Sequence, residues 1–313
     1  MYSKISNIAI NSTIEAALAS TDFIGKKDAK SADKVATEAM RNYFKKEKFH
    51  GMIKIGEGER DEAPMLFIGE MFSDLHEFDI AVDPLEGTNL CAYNKKGSVS
   101  VVVISEKDGI IHAPDVYMEK LACLDLENES IISLEEDIVT NIKNYAKFTK
   151  KSIHDVKIIM LDRERHSEDI EKIKKLGAQI TLIEDGDVSA ILETSSDIKE
   201  NSYDIYYGIG GAPEGVISAC PANALKGFFQ GRFVFKNQAE IDRAKKLMKT
   251  EDVNRIFQSY ELITKPSFFA MTGVTNSDLI KGVERNSKKI QTNTLTISDF
   301  DAKIENILSV KLI

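Results

Sequence analysis

Asp83, Glu86 and Thr88 fall within the run Asp83-Pro84-Leu85-Glu86-Gly87-Thr88, directly behind the apolar stretch Phe78-Asp79-Ile80-Ala81-Val82. Two carboxylates and a hydroxyl at the carboxyl end of a strand stand where an α/β sheet presents ligand groups. Pro84 has a fixed φ and no N–H, and Gly87 permits a tight turn, so Asp83 and Glu86 can be aimed at one point. Oxygen ligands of this hardness suit Mg2+ or Mn2+ rather than zinc or copper. The plain alternative is an Asx-type turn in which Asp83 bonds its own backbone. A second acidic end follows the strand candidate Met52 to Ile55, where Gly56 and Gly58 flank Glu57. Glu59, Asp61 and Glu62 just beyond it read first as a solvated acidic turn, with one of them able to accept a proton beside a metal as the alternative. Three more polar loops each trail an apolar strand. Asp162-Arg163-Glu164-Arg165-His166 follows Lys157 to Leu161, Asp185-Gly186-Asp187 follows Gln179 to Ile183, and Gly208-Ile209-Gly210-Gly211 follows Tyr203 to Tyr207. In the first loop, Arg163 and Arg165 would lie near one side of an extended segment, where two guanidinium forks could hold a phosphate. The alternative is a solvated pair bonded to Glu164 or Asp162.

The elements that must position these groups can be read from periodicity and caps. Ile14 to Ile24 has helical spacing and predicts a helix closed near Gly25. Ser31 is placed to cap a second helix through Phe44, with Asp33 in its first turn, where an acid complements the helix dipole. Ala212-Pro213-Glu214 reads as another helix start with the same dipole reading for Glu214, and Pro221 predicts a kink or restart. Gly97 to Ser105 is a valine-rich buried strand and Asp108-Gly109 a hairpin turn, which puts the loop Ala113 to Lys120, with Tyr117, on the sheet margin. Glu127 to Ser152 predicts a solvated helix and the boundary between two lobes, 1–155 and 156–313. Beyond it, strands alternate with helices such as Glu168 to Leu176, ended by Gly177, which describes an α/β lobe with its site along one edge. Ala239 to Met248 reads as a surface helix and Phe268 to Thr275 as a last buried strand. The tail beyond Lys288 alternates threonine with apolar residues.

Composition narrows the function. The 313 residues allow one large or two medium domains with a substantial core. A formal charge of -9 without a basic block excludes a phosphate-backbone footprint, so no nucleic-acid partner is expected. Cys91, Cys123 and Cys220 are far apart with no C-x-x-C pair, which fits a reducing compartment. No apolar run reaches the length of a membrane span, so a cytoplasmic protein without a membrane partner is expected. The glycine cluster lacks the third glycine of G-x-G-x-x-G, which is Pro213 here, and no lysine completes a P-loop. Neither H-E-x-x-H nor G-x-S-x-G occurs, and the five histidines read as surface or satisfied core residues.

Asp83-Pro84-Leu85-Glu86-Gly87-Thr88 resembles the signature of the metal-dependent, lithium-sensitive sugar and inositol phosphatases. The blocks from Gly56 to Leu66 and from Tyr207 to Gly215 resemble one branch, the class II fructose-1,6-bisphosphatases. The similarity runs from about Glu15 to about Gly282 in matching order. It implies a layered α-β-α-β-α sandwich and hydrolysis of the 1-phosphate of fructose 1,6-bisphosphate. It also implies two divalent cations per site, Mn2+ or Mg2+, with Asp33 and Glu57 holding one and Asp83, Glu86 and Glu214 the other. Thr88 would orient the attacking water with help from a carboxylate such as Asp61. Glu86, Gly87, Thr88, Tyr117, Arg163, Glu164, Arg165, Asp185, Gly186, Asp187 and Gly211 would meet the sugar bisphosphate. The sequence departs from the family at Gly25-Lys26-Lys27-Asp28-Ala29, where the pattern is Gly-Arg-Gly-Asp-Lys, and at Glu164, where proline is usual. Alternatives are a sedoheptulose-1,7-bisphosphatase, an inositol monophosphatase, or a protein that binds metal or sugar phosphate without turnover. A homodimer or higher homo-oligomer is the default for such an enzyme.

Overall fold

The structure is a computed structural model that describes residues 2–58, 65–127 and 130–313. The protein is of the α/β class, and the described residues form two mixed sheets flanked by helices. One compact unit comprises 1–112 with 263–313, and the other 113–262.

The first unit opens with helices α1 (Tyr2–Ser20) and α2 (Ala29–Lys46), then β1 (Gly51–Ile55), β2 (Phe78–Glu86), the short α3 (Thr88–Ala92) and β3 (Val99–Glu106). Ala9, Ala16 and Ala17 of α1 and Ala32 and Ala36 of α2 are fully buried; small side chains let the two helices approach each other and the sheet closely. They pack with Met40 and Phe44 against Ile80, Val82, Val102 and Ile104, the inward residues of β2 and β3. Asp79, near the start of β2, is fully buried and satisfied: it accepts the N–H groups of Gly109 and Ile110 and a bond from His76 at 2.7 Å.

The second unit runs β4 (Tyr117–Cys123), α4 (Ile138–Thr149), β5 (Lys157–Leu161), α5 (Ser167–Leu176), β6 (Gln179–Ile183), α6 (Asp187–Leu192), β7 (Ile205–Gly211), α7 (Ala212–Ala224), β8 (Phe228–Val234), α8 (Gln238–Met248), β9 (Ile256–Gln258) and α9 (Ser259–Leu262). Its strand order is β6-β5-β7-β4-β8-β9, with β5 parallel to both neighbours and β4 antiparallel to both of its own. The chain then returns to the first unit as β10 (Ser267–Gly273), β11 (Glu284–Arg285), β12 (Lys289–Ser298) and β13 (Lys303–Leu312), giving the order β1-β2-β3-β10-β12, with β11 and β13 both on β12.

Several expectations change. The boundary expected near residue 155 does not coincide with the compact units, because β4 pairs with β7 and β8 and the last four strands join the first sheet. α1 begins at Tyr2 and stops at Ser20; a 3-10 turn, Thr21–Phe23, intervenes before Gly25. The cap of α2 is Asp28, which accepts the Ser31 N–H at 3.0 Å, so Asp33 sits in the second turn rather than the first. α7 is one helix through Pro221. After Asp108-Gly109 there is a single bridge, Ile110 to Ile263, rather than a hairpin strand.

Candidate active site

In the first unit the Asp83-to-Thr88 run is built differently from the expected turn. β2 continues to Glu86, and its register against β3 shifts between Asp83, opposite Val101, and Glu86, opposite Val99. The irregularity falls at Pro84, which cannot donate to the ladder, so a bulge is the form a strand takes there. Asp83 Oδ1 accepts the Leu85 N–H at 3.1 Å, the Asx geometry expected as the plain alternative. Glu86 is 3% exposed. Gly87 follows at φ 73°, ψ 49°, and a Cβ there would stand 2.9 Å from Leu90 Cδ1; only glycine fits this corner without strain. The corner turns the chain into α3 and leaves Thr88 half-buried at the helix start, its hydroxyl without a hydrogen bond among the described residues.

Asp33 and Glu57 arrive on separate supports. Burial pushes the Asp33 carboxyl above the usual range. With Asp33 one turn further into α2, the dipole reading weakens, since that field fades within the first turn. The loop leading into α2 is bound to α3 through backbone alone: Gly25 N–H to Cys91 O at 3.1 Å and Lys27 N–H to Ala92 O at 2.8 Å. Lys27 stands where the family pattern has its second glycine and keeps a left-handed φ of 60°. Lys27 thus holds a backbone conformation that glycine adopts most readily. Glu57 is placed by its N–H bond to Leu66 O at 3.1 Å, and Gly56 packs so closely on Leu66 that a Cβ would collide with that carbonyl. Asp61, with Glu59 and Glu62, lies outside the described residues.

In the second unit, four groups meet where β4, β7, α6 and α7 converge. Lys120, fully buried on β4, donates to Asp187, the first residue of α6, and to Gly211 O at 2.9 Å. Glu214, in the first turn of α7, is half-buried with its Oε2 atom shielded from solvent. Its carboxyl is pushed up by desolvation, while the Lys120 charge works in the opposite direction and Asp187 and Asp115 reinforce the rise. Glu214 Oε2 and Asp187 Oδ1 are buried without a hydrogen-bond partner among the described residues. A buried carboxylate oxygen left this way costs free energy unless a cation or donor completes it. The dipole position expected for Glu214 is real, but a solvent-exposed dipole residue would not be desolvated.

The glycine cluster, expected to be a loop, is the second half of β7. A Cβ at Gly210 would stand 2.8 Å from Asp187 Cγ and 2.9 Å from Lys120 Nζ, and one at Gly211 would stand 2.8 Å from Glu214 Cδ. These glycines leave the room the charged groups occupy. Lys120 was not singled out in the sequence, although the alternation Met118, Lys120, Ala122 places it on the inward side of a strand.

The basic loop also differs from expectation. Glu164–His166 is a 3-10 turn, not an extended segment, and the two arginines take different partners. Arg163 donates to Asp162 O at 3.0 Å and its charge opposes the burial-driven rise in the Asp185 pKa; Gly186 N–H bonds Asp185 Oδ1, and Gly186 at φ 100° caps α6. Arg165 donates through Nε and Nη2 to Ile209 O at 2.9 and 2.6 Å and lies 4.9 Å from the centre of the Tyr117 ring. Lys236 Nζ, a group the sequence did not point to, lies 5.0 Å from the same ring. Among the described residues neither cation has a carboxylate partner, and exposed Glu164 pairs with neither arginine. His166 is a satisfied core residue: its Nδ1 donates to Leu161 O at 2.9 Å and its Nε2 accepts the Ile209 N–H at 2.8 Å. Burial holds its pKa below the ordinary value.

Among the described residues, no three of His, Cys, Asp and Glu form a ready metal cage. The donors nevertheless fit a hard cation in kind: each is a carboxylate, Asp33 is desolvated, and Glu214 carries an uncompensated buried oxygen.

By its matches the chain is a phosphatase hydrolase. A family model described as bacterial fructose-1,6-bisphosphatase, glpX-encoded, matches residues 4–311, and the chain belongs to that family. It is 39% identical over 310 residues to the D-fructose 1,6-bisphosphatase class 2/sedoheptulose 1,7-bisphosphatase of a Synechococcus strain, covering 91% of this chain and 88% of the relative. The proteins of the same name from Trichodesmium erythraeum and Gloeobacter violaceus are 38% and 37% identical over 310 residues, each covering 91% of this chain and 89% of the relative.

Proposed function

We propose that the chain hydrolyses the 1-phosphate of fructose 1,6-bisphosphate to fructose 6-phosphate and phosphate, and that it also accepts sedoheptulose 1,7-bisphosphate. Family membership and the names of its relatives support the substrate class. The structural observation that carries the reading is Glu214: a carboxylate with a buried oxygen that no donor among the described residues reaches is a charge that a cation would complete. The ligand set is Asp33 and Glu57 for one divalent ion, and Asp83, Glu86 and Glu214 for the other, with Mg2+ or Mn2+ as the ions. Such ions, when bound, neutralise a phosphate ester, acidify a water and stabilise a leaving oxygen. Thr88 holds and orients the attacking water through its unengaged hydroxyl, and Asp61 assists in removing the proton. Asp185, Gly186, Asp187 and Gly211 face the sugar. Tyr117, flanked by Arg165 and Lys236, meets the remote phosphate end, with Arg163 beside it. The enzyme acts in the cytoplasm, a reading in keeping with three buried cysteines spaced without a C-x-x-C pair.

The test is phosphate release from fructose 1,6-bisphosphate, sedoheptulose 1,7-bisphosphate, inositol monophosphate and glycerol phosphate, with Mg2+ or Mn2+ and after chelation. Turnover of the two bisphosphates that is lost on chelation is expected. Faster release from inositol monophosphate, or metal binding without turnover of any substrate, would overturn the proposal.

A further inference from the structure

Glu70 joins two elements that each carry one of the acids assigned to the first ion. Its backbone is pinned to β1: the Ile53 N–H donates to Glu70 O at 2.9 Å, and the neighbouring Gly69 N–H donates to Ile53 O at 2.8 Å. Its side chain is buried, and its two oxygens go to different partners. Oε1 accepts from Nε of Arg41, on α2, at 2.6 Å. Oε2 accepts the Leu66 N–H at 2.6 Å. Leu66 is fully buried at a left-handed φ of 51°, where a leucine stays only if its surroundings hold it. The Leu66 carbonyl in turn accepts the Glu57 N–H at 3.1 Å, which fixes the backbone from which the Glu57 carboxylate projects.

A continuous chain of bonds therefore runs from α2 through Arg41, Glu70 and Leu66 to Glu57. Asp33 stands on the same helix, about two turns before Arg41. Desolvation offsets most of the attraction in an ion pair as buried as this one, and an apolar pair of the same shape often stabilises a fold as well. What Arg41 and Glu70 supply instead is direction, because charge-assisted bonds are short and constrain the angle at which they meet. We propose that Arg41 and Glu70 are positioning residues that set Asp33 and Glu57 at the spacing of a shared divalent ion, an inference that rests on those two acids being its ligands. Without the pair, Leu66 can leave its left-handed conformation, and Glu57 loses the carbonyl that orients it.

The experiment is calorimetric titration of the chelated full chain with Mn2+, for wild type, Glu70→Ala, Glu70→Gln, Arg41→Met and the reference variant Glu57→Gln. Wild type should bind two ions, and Glu57→Gln should weaken one of them. Glu70→Ala and Arg41→Met should weaken that same ion by about 10- to 100-fold, the usual cost of losing a group that orients a ligand, and leave the other as in wild type. Activity lost at low Mn2+ should return as Mn2+ is raised. Glu70→Gln keeps the shape and an oxygen for the Leu66 N–H but not the charge toward Arg41, so its loss should be smaller; it also serves if Glu70→Ala does not fold. In the metal-free chain, amide hydrogen exchange at Leu66 and Glu57 should quicken in Arg41→Met. A merely structural pair would lower the urea midpoint and leave Mn2+ affinity alone. Unchanged affinity in Arg41→Met and Glu70→Gln, or unaltered exchange at Glu57, would overturn the positioning role while Glu57→Gln still weakens an ion. Wild-type Mn2+ affinity in Glu57→Gln would instead overturn the ligand assignment, and this inference with it.

Discussion

Gly210→Ala tests whether the glycines of β7 exist to house a buried ion pair. The new methyl carbon would stand 2.8 Å from Asp187 Cγ and 2.9 Å from Lys120 Nζ, closer still to Asp187 Oδ2, and none of these groups can yield cheaply. If the Asp187 carboxylate swings away, Lys120, fully buried, loses its counter-charge, and breaking such a pair costs about 3–5 kcal/mol. If the backbone shifts instead, overpacking costs about 1–3 kcal/mol. The cheaper route sets the outcome, so a loss of about 1–3 kcal/mol is expected. With a urea m-value of about 3 kcal/mol/M, the midpoint should fall by roughly 0.3–1 M. The chain has no tryptophan, so tyrosine fluorescence and circular dichroism are the probes. Gly186→Ala supplies the contrast: a Cβ there meets nothing within 4 Å, and its cost is the φ of 100° alone, about 1–2 kcal/mol. Shortening the acid by Asp187→Ala should make room, so that the two substitutions together cost at least about 1 kcal/mol less than their sum. Additive costs, or a Gly210→Ala midpoint within error of wild type, would refute the argument.

Three further outcomes follow from the site. Thr88→Ala should lower kcat by about 100-fold with little change in KM, the pattern of a group that acts in the transition state, while Thr88→Ser retains much more; a change confined to KM would make Thr88 a binding residue. Arg165→Ala should raise KM for fructose 1,6-bisphosphate by about 10-fold or more, the loss of a charge-assisted contact of about 1.5–3 kcal/mol, and leave glycerol phosphate hydrolysis nearly unchanged; equal losses on both substrates would assign the arginine to the fold. His166 has a folded pKa below its unfolded value of about 6.5, so its neutral ring contributes fully above that pH and the contribution is lost as pH falls through the folded value. The urea stability gap between wild type and His166→Asn should therefore narrow from pH 7.5 to pH 5, and a constant or widening gap would show that the ring does not titrate in this way.

Much of this molecule is legible where local chemistry and local structure agree. Strands β5 and β6 appear at the residues their apolar runs mark, and α5 ends on a left-handed Gly177 as its sequence requires. Phe78 to Val82 is strand as expected, and the acids beyond it stand on that strand's end. Capping was less legible: Asp28 and Ser31 are both competent near the start of α2, and only the observed bond from Ser31 N–H to Asp28 distinguishes them.

The types of the candidate ligands, the corner at Gly87 and the α/β class were determined by sequence, because each rests on the preferences of neighbouring residues: glycine's freedom and the alternation of apolar side chains. Tertiary structure decided where strands without a local partner would go. β4 joins β7 and β8 across some ninety and a hundred and ten residues, and β10 to β13 return to the first sheet, so the compact units do not follow the chain's midpoint. It also decided that glycines which read locally as a loop form a strand: the room at Gly210 and Gly211 is needed by Lys120, Asp187 and Glu214, charges that only folding brings together.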